Sequence, residues 1–298
     1  MKEIHVPKFI NKIESKLDRT VKYVFSSPEI IECSYIDKQD GKDILCVPTQ
    51  TSCNLGCKFC FLSDYKMKVR NLTADEIVQS IDYTIKDMEL PKKNVVLLIS
   101  FMGCGEPLLN LKNVISAMII LRKKYQKKYC IVRFAVATLV PKILPFKRLT
   151  EQVIKNNLQV KVHLSLHSPF QDIREKLMPG AFHIWDSLWW LEQYIERTGN
   201  SAEIHYSMID GVNDKENDLK QLIQLFGTKK IPIKFLAYNE KPSIELKQSK
   251  RVEYFREELS KYGIVTEYYV PPGRDIGSSC GQFLMEYYLQ YNKKRIVS

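Results

Sequence analysis

The sequence predicts an α/β fold built as an open or partial (β/α)6 barrel. Two observations carry this prediction: six apolar, β-branched runs recur along the 298 residues, and an amphipathic helical pattern follows each of them. Strands and helices in such alternation form a parallel sheet joined by right-handed crossovers. Because a closed barrel of this type has eight units, six units leave the barrel incomplete.

The predicted elements follow one another in a regular order. The strands are expected at residues 44–47, 95–102, 131–137, 160–166, 204–208 and 233–236. The helices are expected at residues 74–89, 111–125, 143–155, 184–198, 218–226 and 251–262. The first helix has a clear start, since Thr73 and Glu76 have the spacing of a capping box. Chemistry in such barrels lies at the C-terminal ends of the strands, so functional residues are expected in the loops that follow them.

Two smaller pieces flank the predicted barrel. Residues 1–40 form a small N-terminal extension, with a short helix over 8–17 and a hairpin that pairs 22–25 with 30–35. Residues 41–298 form the core. After the sixth helix we expect one more strand at 265–269, then the 273–281 loop, then a last helix from about Gln282.

Composition bounds the functional class. The net charge is +11, and basic residues cluster along the chain, which favours a polyanionic partner such as nucleic acid. Solvated helix faces are the alternative reading of any single cluster. The clusters are Lys66-Met-Lys68-Val-Arg70, Arg122-Lys123-Lys124, Lys127-Lys128, Lys147-Arg148, Lys229-Lys230 and Lys293-Lys294-Arg295. With eight cysteines, no signal peptide and no membrane-length apolar run, we expect a cytoplasmic protein whose thiols remain free.

A cysteine loop follows the first predicted strand of the barrel. Cys53, Cys57 and Cys60 have the spacing C-x3-C-x2-C, which holds three thiolates close together for a soft metal centre. A structural zinc site or a fully ligated cluster needs four protein ligands. Three ligands leave one metal corner open for a substrate or cofactor. A zinc site with a distant fourth ligand and ordinary buried thiols are the alternatives.

A glycine-rich loop follows the second predicted strand. Gly103 and Gly105 would let the backbone approach a ligand closely, and the carboxylate of Glu106 beside them could accept hydrogen bonds from an ammonium group. This pattern is weak by itself, and its position one β/α unit after the cysteine loop strengthens it.

The cysteine spacing, with the aromatic Phe59 before the last cysteine, resembles the signature of the radical S-adenosylmethionine (radical SAM) superfamily. Further stretches resemble the RlmN/Cfr family of radical SAM RNA methyltransferases, with Cys104 standing where that family has a methionine. The matching stretches are Met102-Gly-Cys-Gly-Glu-Pro-Leu108, Arg70-Asn-Leu-Thr-Ala-Asp-Glu-Ile77, Leu164-Ser-Leu-His167, Arg174-Glu-Lys-Leu-Met-Pro179, Gly211-Val-Asn-Asp214, Tyr238-Asn239 and Gly273-Arg-Asp-Ile-Gly-Ser-Ser-Cys-Gly-Gln282.

The resemblance implies a [4Fe-4S] cluster on the three loop cysteines, with SAM on the open iron. It also implies roles for three further residues. Cys280 would be methylated by one SAM, and a radical from a second SAM would then activate that methyl group for addition to an adenine ring carbon. Cys46 would release the product by forming a disulfide with Cys280, and Glu32 would deprotonate the adduct carbon. From the residues alone, Cys46 and Cys280 could be packing thiols and Glu32 an exposed strand residue.

The resemblance further implies a set of SAM contacts, which are Phe59, Gly105, Glu106, Thr138, Ser165, Leu166, His167 and Asn239. Three departures stand beside it. Family members begin with a longer helical RNA-binding domain, whereas only about twenty residues precede Val21 here. The third-strand motif is shortened, which leaves Thr138 as the nearest candidate for its serine contact. The residues after Cys60, Phe-Leu-Ser-Asp, replace the usual small-residue turn.

The expected function is methylation of an RNA adenine, at carbon 2 by default and at carbon 8 as the variant. Large-subunit rRNA is the first target and tRNA the second, and the partners include an electron donor such as flavodoxin or ferredoxin. We expect a monomer without membrane contact. The alternatives are a radical SAM enzyme of this family with another substrate and, from another class, a zinc-containing RNA-binding module.

Overall fold

A computed structural model describes residues 6–64, 67–91 and 95–283. These residues form one sheet of ten strands whose spatial order follows the chain. The strands are β1 Lys8–Glu14, β2 Thr20–Ser27, β3 Glu29–Asp37, β4 Lys42–Cys46, β5 Val96–Phe101, β6 Ile131–Thr138, β7 Val160–Ser165, β8 Ala202–Ser207, β9 Ile233–Leu236 and β10 Thr266–Tyr269. The helices are α1 Ala74–Asp87, α2 Leu111–Tyr125, α3 Ile143–Lys155, α4 Gln171–Leu177, α5 Ile184–Thr198, α6 Glu216–Phe226 and α7 Val252–Lys261, with short 3-10 helices at Phe61–Asp64 and Pro107–Asn110.

Strands β4–β10 are parallel neighbours in chain order, and this confirms the predicted partial barrel. All six predicted strands are present, and β10 confirms the expected seventh. Within the described residues β10 pairs only with β9, so the barrel does not close onto β4. We call the gap between β10 and β3–β4 the seam. The C-terminal ends of β4–β9 therefore meet at one edge, where the functional loops were expected.

Side chains along β5 point alternately outward to the helices and inward to the barrel. Leu97, Ile99 and Phe101 are fully buried under the helices and belong to the main hydrophobic core. Burial of each such side chain stabilises the fold by roughly 1.5–3 kcal/mol. The residues between them, Leu98 and Ser100, point into the barrel instead. The interior is thus built from every second strand residue.

The N-terminal extension continues the same sheet with antiparallel strands. The expected hairpin is confirmed, because β2 pairs with β3 around Pro28. The short helix expected over 8–17 is wrong, because this stretch forms the edge strand β1, which pairs with β2 and contains a bulge between Phe9 and Asn11. Phe9 stacks on Tyr83 of α1 with ring centroids 4.8 Å apart, so cross-strand pairing and this aromatic contact outweigh local helix propensity.

The sequence correctly predicted where helix α1 begins. Thr73 and Glu76 make both hydrogen bonds of the predicted capping box at the start of α1.

Helix α4 was not predicted. The expected last helix from about Gln282 lies beyond the described residues, as do Lys66 and the cluster at Lys293. None of the helices in the described ranges has the length and apolarity to cross a bilayer.

Two of the basic clusters lie away from the functional edge. Arg122, Lys123 and Lys124 form the last turn of α2, and Lys229 follows the end of α6. The C-termini of these helices precede the N-terminal ends of β6 and β9, at the edge of the sheet opposite the cysteine loop. Cations at helix C-termini interact favourably with the helix dipole, which accounts for these positions without a ligand.

Candidate active site

The three loop cysteines line one cavity of about 190 Å³ at the C-terminal edge of the sheet. The loop runs from β4 to the 3-10 helix, and Cys60 donates its backbone N–H to the carbonyl of Cys57 at 3.1 Å. Burial raises the pKa of the Cys53 thiol to about 12 and also raises the pKa values of Cys57 and Cys60. Such thiols keep their protons unless a metal replaces them, so metal binding here releases protons.

The three sulfur atoms of the cysteine loop are not gathered as closely as the ligands of a single zinc ion. Zinc with Zn–S bonds of roughly 2.3 Å would draw its sulfur ligands to within about 4 Å of one another. Among the described residues, the only trio of possible ligand atoms within 4.8 Å of one another is His163, Glu203 and His205, and no cysteine trio qualifies. The three loop cysteines therefore do not stand at the mutual spacing of a pre-formed zinc site.

Close packing explains both glycines of the second loop. A Cβ at Gly103 would lie 2.8 Å from the backbone of Val47, and one at Gly105 would lie 2.6 Å from Gln50. Gly105 also has φ +96°, a conformation that favours glycine. The side-chain oxygen of Gln50 accepts a hydrogen bond from the backbone N–H of Glu106 at 2.8 Å, which fixes the loop beside the cysteines.

Glu106 is a buried carboxyl group in the same cavity. Its oxygens accept hydrogen bonds from the backbone N–H groups of Leu108 at 3.0 Å and Leu139 at 3.2 Å. Burial raises its pKa to about 7, although these hydrogen bonds and one from Thr138 favour the ionised form. A carboxylate that is poised to ionise can bind a ligand ammonium.

The ends of β6 and β7 supply most of the other predicted SAM contacts. Thr138, Ser165 and His167 line the cavity, as do Phe59, Gly105 and Asn239. His167 accepts a hydrogen bond at Nδ1 from the backbone N–H of Ser207, and burial lowers its pKa to about 3, so its ring is neutral. Leu166 does not line the cavity, because its side chain lies in the hydrophobic core.

The 271–283 loop carries Cys280 and lies across the mouth of the seam. Asn239 holds this loop, since its amide nitrogen donates to the hydroxyl of Ser279 and to the carbonyl of Cys280, both at 2.9 Å. Its amide oxygen accepts from Nε of Arg274 at 2.7 Å. On the other side, the carbonyl of Gly281 accepts the backbone N–H of Phe61 at 2.9 Å, which joins this loop to the cysteine loop.

The N-terminal extension also anchors the 271–283 loop. The carboxylate of Asp275 accepts hydrogen bonds from the hydroxyl of Ser15 and the backbone N–H of Lys16, both at 2.7 Å. The backbone N–H of Gly273 donates to Asp18 at 2.8 Å. The extension therefore positions the loop that bears Cys280.

Cys46 and Cys280 meet in a second cavity of about 140 Å³, which lies inside the barrel. Cys280 lines both cavities, whereas Cys46 lines only the second. Cys280 is exposed as a residue, yet desolvation of its sulfur atom raises its pKa to about 11, and burial raises the pKa of Cys46 well above its ordinary value. The third predicted catalytic residue, Glu32, lies outside both lining sets; it is buried on β3 with Lys22 Nζ 3.5 Å from its Oε1.

Sequence reasoning missed a buried polar network on the barrel interior. Nδ1 of His163 lies 2.7 Å and Nε2 of His205 lies 3.2 Å from Oε1 of Glu203. Lys234 lies 2.9 Å from the same oxygen, and Lys161 pairs with the other one. These cations already neutralise Glu203, so the network is a set of buried ion pairs. The alternation of polar residues along β7 and β8 was the signal that could have revealed it.

Comparison with known proteins gives the family. The family model of the radical SAM superfamily matches residues 47–225. A protein from Petrotoga mobilis called probable dual-specificity RNA methyltransferase RlmN is 32% identical over 286 residues, which cover 94% of this chain and 79% of the relative. A protein of the same name from Clostridium novyi is 32% identical over 292 residues, which cover 95% of this chain and 81% of the relative.

Solved structures agree with these relatives. A radical SAM methyltransferase from Sphaerobacter thermophilus matches with a TM-score of 0.81 and 26% identity, over 93% of this chain and 80% of that one. SuiB from Streptococcus suis, solved with S-adenosylmethionine, shares the fold at a TM-score of 0.57 and 15% identity, over 78% of this chain and 51% of that one. The chain belongs to the RlmN family of radical SAM RNA methyltransferases, enzymes that use a [4Fe-4S] cluster and S-adenosylmethionine.

Proposed function

We propose that this enzyme methylates an adenine ring carbon in RNA and that Cys280 carries the methyl group. Carbon 2 is the default position, with large-subunit rRNA as the first target and tRNA as the second. The observation that carries the proposal is the position of Cys280, which lines the cavity of the cluster cysteines as well as the cavity of Cys46. A methyl carrier needs access to both the methyl donor and the thiol that later releases it.

The named residues divide the work between them. Cys53, Cys57 and Cys60 hold the cluster, and Glu106 orients SAM through its amino group. When bound, the cluster and SAM supply an electron, a methyl group and a 5′-deoxyadenosyl radical. The thiolate of Cys280 accepts the methyl group, because a thiolate is a strong, soft nucleophile. The adduct carbon loses a proton to Glu32 and the adduct gives up its unpaired electron. The thiolate of Cys46 then attacks the sulfur of Cys280, the C–S bond breaks, and the released methylene carbon takes up a proton, so the methylated RNA leaves and a Cys46–Cys280 disulfide remains.

Several partners belong to the same proposal. The electron comes from a small donor such as a flavodoxin or a ferredoxin, and the enzyme acts as a cytoplasmic monomer. The word dual-specificity in the names of the relatives supports a substrate range of more than one RNA. The division into an extension, 1–40, and a core, 41–298, is part of the proposal, with the extension serving to anchor the Cys280 loop.

The test is anaerobic reconstitution with iron, sulfide, SAM and total RNA, followed by mass spectrometry of the digested nucleosides. We expect a new methyladenosine that co-elutes with the carbon-2 standard, and co-elution with the carbon-8 standard would identify the variant reaction. SAM cleavage without a heavier RNA base would show that the target is wrong while the cluster assignment holds.

Two variants test the cysteine roles in the same assay. Cys280→Ala should retain the cluster and form no methyladenosine. Cys46→Ala should accumulate a covalent protein–RNA species, visible as a shifted band that ribonuclease removes. Normal turnover by Cys46→Ala would remove that residue from the mechanism.

A further inference from the structure

The seam of the open barrel gives a second approach to the two catalytic sulfur atoms. The 271–283 loop bridges the top of the seam, where Ser278 and Ser34 of β3 share a hydrogen bond of 3.0 Å. Beneath this bridge lies an outer cavity of about 610 Å³. The outer cavity shares Ile36, Lys38, Tyr269, Pro271 and Pro272 with the inner cavity that reaches Cys46 and Cys280. The two cavities therefore adjoin across these five residues, and we call the two together the seam path.

Most charges along this path are already neutralised. Arg19 lies 3.6 Å from Asp37, and Lys234 lies 2.9 Å from Glu203 and 3.3 Å from Glu267. Asp18, the other acid of the outer cavity, accepts hydrogen bonds from the backbone N–H groups of Thr20 and Gly273.

Two cations on the path have no such partner. Within the described ranges, neither Lys38 nor Arg274 makes an ion pair. The ammonium of Lys38 lies 3.9 Å over the ring of Tyr269, and Arg274 donates its Nε to the amide oxygen of Asn239. Arg19, Lys38 and Arg274 line the outer cavity with only Asp18 and Asp37 as acids, so three cations against two acids leave its lining with a formal charge of +1. This arrangement favours an anionic visitor.

The proposed function makes such a visitor necessary, and the present inference rests on it. Each turnover leaves a disulfide between Cys46 and Cys280, which must gain two electrons and two protons before the next methyl transfer. Lys38 lines the inner cavity together with Cys46 and Cys280, so a cation lies close to this disulfide. We propose that a small anionic thiol enters through the seam, guided by Lys38 and Arg274, and reduces this disulfide.

The step balances as ordinary thiol–disulfide exchange. The thiolate of the visitor attacks one sulfur of the Cys46–Cys280 bond, forms a mixed disulfide and expels the other cysteine as a thiolate. A second molecule of the visitor attacks the mixed disulfide and leaves as its oxidised dimer, and both cysteines regain protons. An outer cavity of 610 Å³ has the size of a small-molecule site, whereas a folded reductase cannot enter it.

The test measures how fast the disulfide is reduced in the loaded enzyme. The disulfide is formed by one turnover with RNA or by mild oxidation, and peptide mass mapping follows its loss. Glutathione serves as the anionic probe and 2-mercaptoethanol as the neutral one, at matched thiolate concentrations. For Lys38→Gln we expect the glutathione rate to fall about fivefold and the 2-mercaptoethanol rate to stay within about twofold, because only the charged thiol is steered. Added salt should shrink the glutathione effect.

Lys220→Gln is the matched control, since Lys220 is exposed on α6 and makes no ion pair with the described residues. Its rates should equal those of the unmodified enzyme with both thiols. Equal slowing of both thiols by Lys38→Gln, no slowing of either, or reduction by a protein dithiol alone would overturn the inference while the proposed function stands. A complete absence of a Cys46–Cys280 disulfide would instead overturn the release step of the proposed function and the inference with it.

Discussion

The two cysteine-bearing loops of the active site are held in place by different means. The 53–60 loop is fixed by nearby backbone contacts, such as the N–H of Lys58 on the carbonyl of Leu177, and by the close approach of Gly103 and Gly105 to the chain around Val47 and Gln50. The 271–283 loop is fixed by side chains, including Asp18 and Asp275, that bond across more than 250 residues of sequence. The first loop therefore rests mainly on backbone groups, whereas the second rests on side chains of Asn239 and of the N-terminal extension.

The largest expected effect is complete loss of activity, for a different reason in each loop. Cys57→Ser should lose the cluster, because one of three ligands is removed, and with it all SAM cleavage. Cys280→Ser should keep the iron content and SAM binding but form no methylated RNA. Iron analysis and quantitation of 5′-deoxyadenosine check both variants. Loss of iron in Cys280→Ser would show that the loops are not independent.

The next effect concerns Asn239, which holds the 271–283 loop by three hydrogen bonds. Asn239→Ala removes three hydrogen bonds, each worth about 1 kcal/mol, so Cys280 should be methylated on the order of 100-fold more slowly. The measurement is the rate of methyl incorporation into the Cys280 peptide from labelled SAM.

Asn200→Ala is the control for Asn239→Ala. Asn200 also uses both ends of its amide, with Leu158 and Val160, but it lies at the opposite edge of the sheet. It should leave the methylation rate within about twofold, since it loses similar hydrogen bonds far from the loop. A fall in SAM affinity in Asn239→Ala would instead support the direct SAM contact that the resemblance implies.

A smaller effect is expected where the N-terminal extension holds the same loop. Although burial opposes it, hydrogen bonds from Ser15 and Lys16 lower the pKa of Asp275, so the carboxylate is ionised at neutral pH. Asp275→Asn weakens both bonds, and methylation of Cys280 should slow about five- to tenfold, the effect of roughly 1 kcal/mol. Faster hydrogen exchange at Lys16 would accompany this change. An unchanged rate would mean that Asn239 alone positions the loop.

The smallest expected effect is a dependence of SAM binding on pH, through Glu106 in the cavity of the cluster cysteines. Because burial raises the pKa of Glu106 to about 7, its carboxyl group becomes neutral as the pH falls below that value. A neutral carboxyl group accepts hydrogen bonds from SAM less well, so the Kd of SAM should rise about fivefold between pH 7 and pH 6. Glu106→Gln should bind SAM weakly at both values. A Kd that does not change with pH in the unmodified enzyme would contradict the role of Glu106.

The sequence predictions were accurate for features that depend on residues close together in the chain. The strands, six of the seven helices, the cysteine spacing and the glycine loop were predicted, because each depends on residues within one β/α unit. The edge strand β1 was not, because pairing with β2 decides its structure. The role of Asn239 as a support for Cys280 could not be predicted either, since its partners lie about 40 residues further along the chain.

The predicted site residues show the same limit. Seven of the eight SAM contacts that the resemblance implied do line the cavity, but the resemblance could not tell that Leu166 faces the core or that Glu32 is paired with Lys22. It also gave no sign of the network around Glu203, whose members have no common motif. Strand alternation alone placed those residues inward, and only the three-dimensional pairing of β7, β8 and β9 brought their charges together.

The bulge in β1 has a consequence for how copies of this protein behave in solution. An outermost strand with unsatisfied backbone groups is a template onto which another chain can add and start aggregation. Here the bulge between Phe9 and Asn11 disturbs the regular spacing, and Lys8 and Lys12 would bring like charges together in any such pairing. The outermost strand of the sheet therefore discourages edge-to-edge pairing with a second copy of the chain.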